Sequence, residues 1–190
     1  MKRWHLLAIV LVVVFALGGC ATKAASEAKR PQIIGAEGIA QPEWVYKTVS
    51  GDDRHFESGY GKMSDKQTSI KRATVEAKNK IAEWVSTSVK EVVVTYLNDA
   101  GSGDNRQALD AMEVVSQQVA EATLSGVTTE EIWVDGDGGV WVLCSIPLAN
   151  VEQSFEPAAE AVVEAFTESE AAAAANAKMK DAFANLLKGI

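Results

Sequence analysis

Cysteine and histidine are scarce in this 190-residue chain, with two of each. That is too few, at any usual ligand spacing, to build a zinc cage. Basic residues are also short: 18 Lys and Arg stand against 26 Asp and Glu, a net charge of −8, which excludes a broad nucleic-acid footprint. Long apolar runs are missing. The longest, residues 6–17, spans twelve positions, whereas a membrane-crossing helix needs roughly twenty. A Gly-x-Ser-x-Gly nucleophile elbow is absent from the sequence. What is present is ordinary globular composition, 47% hydrophobic and 23% charged, enough for one domain with an appended helix and too little for two catalytic domains.

The short apolar run follows Lys2 and Arg3 and ends in Leu17-Gly18-Gly19-Cys20. A basic start, a twelve-residue apolar stretch and small residues after it are the pattern of a secretory signal. The plain reading is a secretory signal with an incidental cysteine. The sharper one is that the tetrapeptide resembles the lipobox of bacterial lipoproteins, an aliphatic residue and two small ones before the cysteine that is lipidated. The resemblance implies a signal peptide over 1–19, cleavage between Gly19 and Cys20, and acyl chains on Cys20. Ala21 follows where an Asp would favour inner-membrane retention, so it also implies the outer membrane. Each buried methylene contributes about 0.8 kcal/mol and one chain holds only marginally, so two or three chains make a durable anchor. Loss of Lys2 and Arg3 with the signal deepens the charge from −8 to −10.

Residues 20–42 read as the lipidated cysteine and a linker, with Pro31 and Pro42 and no clear period. A domain over 43–150 and a C-terminal helix over 151–190 follow. Residues 55–63 alternate as a strand, with Phe56, Ser58 and Tyr60 on one face and Glu57, Gly59 and Gly61 on the other. Ser64 and Gln67 have capping-box spacing. Beyond them Ile70, Ala73, Ala77, Ile81, Trp84, Val85, Ser88, Val89, Val92 and Tyr96 form one helical stripe. After a loop at 98–105, a second helix carries Leu109, Met112, Ser116, Val119 and Thr123 on its inner face. Residues 127–135 and 140–146 then read as a β-hairpin around Asp135-Gly136-Asp137-Gly138-Gly139. Trp141 and Leu143 on one side and Val142, Cys144 and Ile146 on the other make both faces of its second strand apolar, so both must be covered. The two helices serve for one face and the C-terminal segment for the other. Residues 157–187 read as one long Ala-rich helix, acidic at its start and basic at its end, as suits the helix dipole. The expected fold is α+β: about three antiparallel strands on two central helices, then the long helix.

The lipobox at Cys20, Pro42-Glu43-Trp44, the Gly59-x-Gly61 strand, the helix with Ala73, Ala77 and Ala82, and the hairpin ending Val140-Trp141-Val142-Leu143 occur in an order that resembles the Lpp-twenty lipoprotein family. The domain of that family also resembles the N-terminal part of a flagellar outer-membrane ring protein. The likeness spans residues 42–150. It implies a surface-anchored α+β domain associated with envelope or flagellar assembly and supplies no catalytic residue to carry over.

Other candidate chemistry has a plainer alternative at each position. The Asp135-to-Gly139 run lacks the oxygen ligands of a calcium loop and suits a turn. His55, the one histidine beyond the signal, reads as a half-exposed residue at a strand edge. Cys144 reads as a buried, inert thiol. Trp44, Trp84, Trp133 and Trp141 read as core rings, with a carbohydrate platform as the alternative. Gly59 and Gly61 suit close packing or a bulge. The function expected is a non-enzymatic lipoprotein held at the membrane through Cys20 and acting on an envelope protein partner, with no cofactor, metal or nucleic acid. Self-association through the C-terminal helix is a further option. The alternative is a ligand-binding lipoprotein with an aromatic groove near Trp44 or the hairpin. If Cys20 is the acceptor, Cys20→Ala leaves an uncleaved, unacylated precursor, seen as slower migration on an immunoblot; normal processing of that variant would contradict the reading.

Overall fold

The computed structural model describes residues 31–99, 106–166 and 169–188. The signal segment, Gly19 and Cys20, and most of the expected loop at 98–105 lie outside them. The folded unit begins at Ile33, ten residues before the expected domain start. The C-terminal helices belong to the same unit rather than to a separate one.

Three strands form one antiparallel sheet: β1 (Arg54–Gly61), β2 (Thr128–Val134) and β3 (Val140–Pro147), in the order β1-β3-β2. β3 is central because it is apolar on both faces. Four helices accompany the sheet among the described residues: α1 (Lys66–Asp99), α2 (Arg106–Leu124), α3 (Leu148–Phe166) and α4 (Ser169–Lys188). The class is therefore α+β, as the sequence pattern required.

α1 starts one residue later than the expected capping box allows. Its cap is Asp65, whose carboxylate accepts from the Thr68 backbone N–H at 2.9 Å and from the Thr68 hydroxyl at 2.7 Å. This satisfies a donor that the first helical turn leaves open, and Ser64 and Gln67 are not the pair that does it. The helix runs for 34 residues, about 50 Å at 1.5 Å per residue. Its β-branched end at Val92 to Thr95 continues the helix, because Val92 and Val93 are buried in the core.

The register places Gly59 opposite Val142 and Gly61 opposite Val140, so these four share the face turned to α1. A side chain at Gly59 would collide with the backbone of Ala73 and lie 2.5 Å from the Ala77 nitrogen. One at Gly61 would lie 2.8 Å from the Ala73 nitrogen and collide with the Ser69 carbonyl. The paired glycines therefore let helix backbone approach strand backbone, and the small Ala73 and Ala77 complete the contact. Val140, Val142, Cys144 and Ile146 pack beyond them on Ile81, Val85 and Val89.

The opposite face of the sheet is covered by the chain preceding β1, not by the C-terminal segment. Trp44, in a single 3-10 turn at Glu43–Val45, packs with Trp133 and Leu143, joined by Val45, Val49, Phe56 and Trp141. Residues 33–41, expected to be linker, form a tight turn on the sheet end. Ala36 N–H donates to the Val134 carbonyl at 3.2 Å and the Trp133 indole donates to the Ile39 carbonyl at 3.0 Å. A short, Gly-containing segment without a period carries no local signal of partners almost a hundred positions away.

The C-terminal region also differs from the single long helix expected. Helix begins at Leu148, directly after β3, and Pro157 lies inside α3. The rings of Phe155 and Phe183 stack with centroids 4.0 Å apart. In one straight helix, 28 residues of rise would part them by about 42 Å, so α3 and α4 double back as a hairpin. Lys180 crosses it to Glu160 at 3.2 Å and Glu156 at 3.7 Å. The hairpin docks on α1 and α2, with Val151, Phe155, Ala159, Met179, Phe183 and Leu187 in the main core. No described helix is long and apolar enough to cross a membrane.

Gly59→Ala is expected to destabilise the fold by about 1–3 kcal/mol through overpacking, read as a lower urea midpoint. An unchanged midpoint would mean that α1 does not approach β1 as described.

Candidate functional site

The sheet face away from the helices carries the features closest to a site. A cleft of about 260 Å³ runs between the segment from Trp44 to Val49 and the strand residues Phe56, Glu57 and Ser58, with Leu143 contributing. It is smaller than most small-molecule pockets, which span roughly 300–1,000 Å³. Of the four tryptophans considered above, Trp44 is the one that lines it. The residue is only 8% exposed, and its indole N–H donates to Glu131 Oε2 at 2.6 Å.

The other rings are placed by packing. Trp133 is buried at the sheet end, and Trp141 tilts against Tyr60 with centroids 4.9 Å apart. Trp84 lies on the far side of the sheet, half-buried on α1 and stacked on His55 at 3.7 Å with planes 5° apart. The four rings thus serve two layers and do not converge on one platform.

Beside the cleft lies a polar network that the sequence reading did not anticipate. Arg54 Nε donates to the Ser145 hydroxyl at 2.9 Å. Its Nη2 donates to Thr128 Oγ1 at 2.8 Å and to Glu130 Oε1 at 2.9 Å. Ser145, fully buried, donates to Glu130 Oε1 at 2.5 Å. Hydrogen bonds from Ser145 and Thr128, with the charge of Arg54, hold the Glu130 carboxyl below its ordinary value. A carboxylate so stabilised accepts hydrogen bonds but is a poor proton acceptor near neutral pH. The network joins β1, β3 and β2 where a bulge falls between Thr129 and Glu131. Its sequence signal was Ser145, the one hydroxyl in an apolar strand, opposite a polar stretch of β2.

His55 sits on the helix face, its side chain 22% exposed, with Nε2 at 3.1 Å from Glu57 Oε1. His55 is thus a partly exposed residue of an edge strand, as expected, and it is also stacked on Trp84. Burial lowers its pKa from the ordinary 6.5, and the neighbouring Glu57 carboxylate opposes that shift. Cys144 is fully buried and burial pushes its thiol up, so it stays protonated. Asp135 closes the hairpin turn: its carboxylate accepts from the N–H groups of Asp137 and Gly139 at 2.9 and 2.8 Å. Gly138 supplies the positive φ of 79° that the turn requires. No cluster of three or more metal-ligating side chains occurs among the described residues. Among the described residues, Ser145 is tied to Arg54 and Glu130, Cys144 to Thr129, and His55 to Glu57.

Compared with known protein families, curated proteins and solved structures, the chain matches none.

The depressed His55 value has a consequence for stability. The unfolded chain takes up the proton first as pH falls, so the histidine's contribution is complete above about pH 6.5 and declines from there towards its lower folded pKa. Stability should fall as pH drops from 7 to 5, and His55→Phe should flatten that slope. A ring-proton titration by NMR should give a midpoint below 6.5; one at or above 6.5 would contradict the packing of His55 on Trp84.

Proposed function

We propose that this chain is a lipid-anchored bacterial envelope protein, held at the outer membrane by acyl chains on Cys20 and acting through protein contacts rather than catalysis. Leu17-Gly18-Gly19-Cys20 after a basic start and a short apolar run carries the reading. We also propose kinship with the Lpp-twenty lipoproteins, on the order of motifs from Pro42 to Leu143, and with it a role in envelope or flagellar assembly.

Two features of the folded unit support a contact role. The side chains of Arg54, Glu130 and Ser145 are spent on internal ties. Its edge strand β2 leaves five successive residues exposed, Thr128 to Ile132, with Glu130 and Glu131 discouraging indiscriminate pairing. The ligand-binding alternative would need a second aromatic ring of the tryptophan set beside Trp44 in the cleft.

Crosslinking of the full-length protein in cells, followed by mass spectrometric identification, should return a discrete envelope partner in stoichiometric yield. Recovery of the intact folded protein with no reproducible partner would overturn the contact role.

A further inference from the structure

The turn at residues 33–41 is ordered yet apolar towards water. Ile34 bridges to Ala40, Gly35 N–H donates to the Ile39 carbonyl at 2.8 Å, and Gln41 N–H donates to the Ile33 carbonyl at 2.8 Å. The turn is fixed to the sheet through Val134 and Trp133, and Gly35 is seated so closely on Trp133 that a side chain there would meet the indole at 2.9 Å. Glu37, the one acidic residue of the turn, is met by Lys66 from the first turn of α1. Nothing about this geometry requires isoleucine, yet Ile33, Ile34 and Ile39 are 54%, 51% and 53% exposed. Ile33 and Ile39 lie on one side of the paired segment and Ile34 on the other, so large apolar side chains project from both sides of the turn, as suits an end that inserts into an apolar boundary.

The position of the patch in the chain selects its occupant. Ile33 begins the folded unit and lies thirteen residues after Cys20. Thirteen residues of chain cannot span more than about 45 Å. Resting on the proposed anchor, we infer that the isoleucine turn is a membrane-contact tip, which seats Ile33, Ile34 and Ile39 at the headgroup–acyl boundary of the bilayer that holds Cys20. Asp137, exposed on the neighbouring β2–β3 turn, limits the contact to that depth, since a carboxylate is costly in hydrocarbon. The net charge, −10 once Lys2 and Arg3 leave with the signal, keeps the rest of the body off an anionic leaflet, so the domain stands on its end instead of lying flat. An anchor alone gives proximity; the tip adds a fixed orientation.

The test uses the full-length acylated protein in vesicles of phosphatidylethanolamine and phosphatidylglycerol, carrying one nitroxide through Ala36→Cys. A reference label is placed through Gln117→Cys on the exposed side of α2. Cys144 is buried, and an acylated Cys20 takes no label. The ratio of collisions with lipid-dissolved oxygen to collisions with a water-soluble nickel chelate should be several-fold higher at 36 than at 117. It should fall to the reference value when Ile33, Ile34 and Ile39 are all replaced by serine. Equal ratios at the two sites, in protein whose acylation is verified by mass, would overturn the tip while leaving the anchor standing. Suppression of both collision rates with dipolar broadening between labels would assign the patch to a second copy and equally overturn it. Protein that carries no acyl group would remove the anchor, and the tip with it.

Discussion

The close approach of α1 to β1 at Gly59 and Gly61 is the contact on which the rest of the fold depends. A long helix can lie directly on strand backbone only if neither partner presents a side chain of any size at the crossing. Two glycines on alternate strand positions meet that condition, and Ala73 and Ala77 meet it from the helix. The crossing sets the height of α1 above the sheet. That height decides how far Val140, Val142 and Ile146 reach into the layer formed by Ile81, Val85 and Val89. The helical hairpin then packs on α1 and α2 rather than on the sheet.

With one face of the sheet closed by α1, the other is left to the residues before β1. The Trp44, Trp133 and Leu143 cluster closes it from the N-terminal side. The folded unit thus begins with a segment that carries part of its second core. The same economy brings an apolar turn to the end of the molecule from which the chain leaves for Cys20. The polar network of Arg54, Glu130, Ser145 and Thr128 fixes the opposite region of that face, where the β2 bulge would otherwise leave a buried hydroxyl and a carboxylate to be satisfied by water.

Much of this was legible in the residues. Strong periodicity placed α1 and its buried stripe, alternation and a Gly-rich turn placed the hairpin, and the doubly apolar β3 required cover on both sides. What escaped notice has physical causes. Alanine-rich sequence has high helix propensity but little information about packing, so residues 148–188 gave no sign of where they reverse; the Phe155–Phe183 pairing is a tertiary fact. Pro157 read as a helix start because a proline is tolerated there, whereas helix had already begun at Leu148. Residues 33–41 lack any period because a turn has none. The Arg54 network joins residues 91 positions apart at its widest, beyond the reach of local pattern. Of the candidate groups, Gly59, Gly61, Asp135 and Cys144 took the plain structural roles expected, while His55 and Trp84 found each other across two elements.

The proposed place and role turn on the chemistry of Cys20 as the proposed amino terminus of the mature protein. Mass analysis of the first proteolytic peptide of the mature protein measures it directly. A peptide beginning at Cys20 and heavier by a diacylglyceryl group, with or without an N-acyl chain, is the predicted result. A peptide beginning elsewhere, or beginning at Cys20 with a free thiol and a bare amine, would contradict the account.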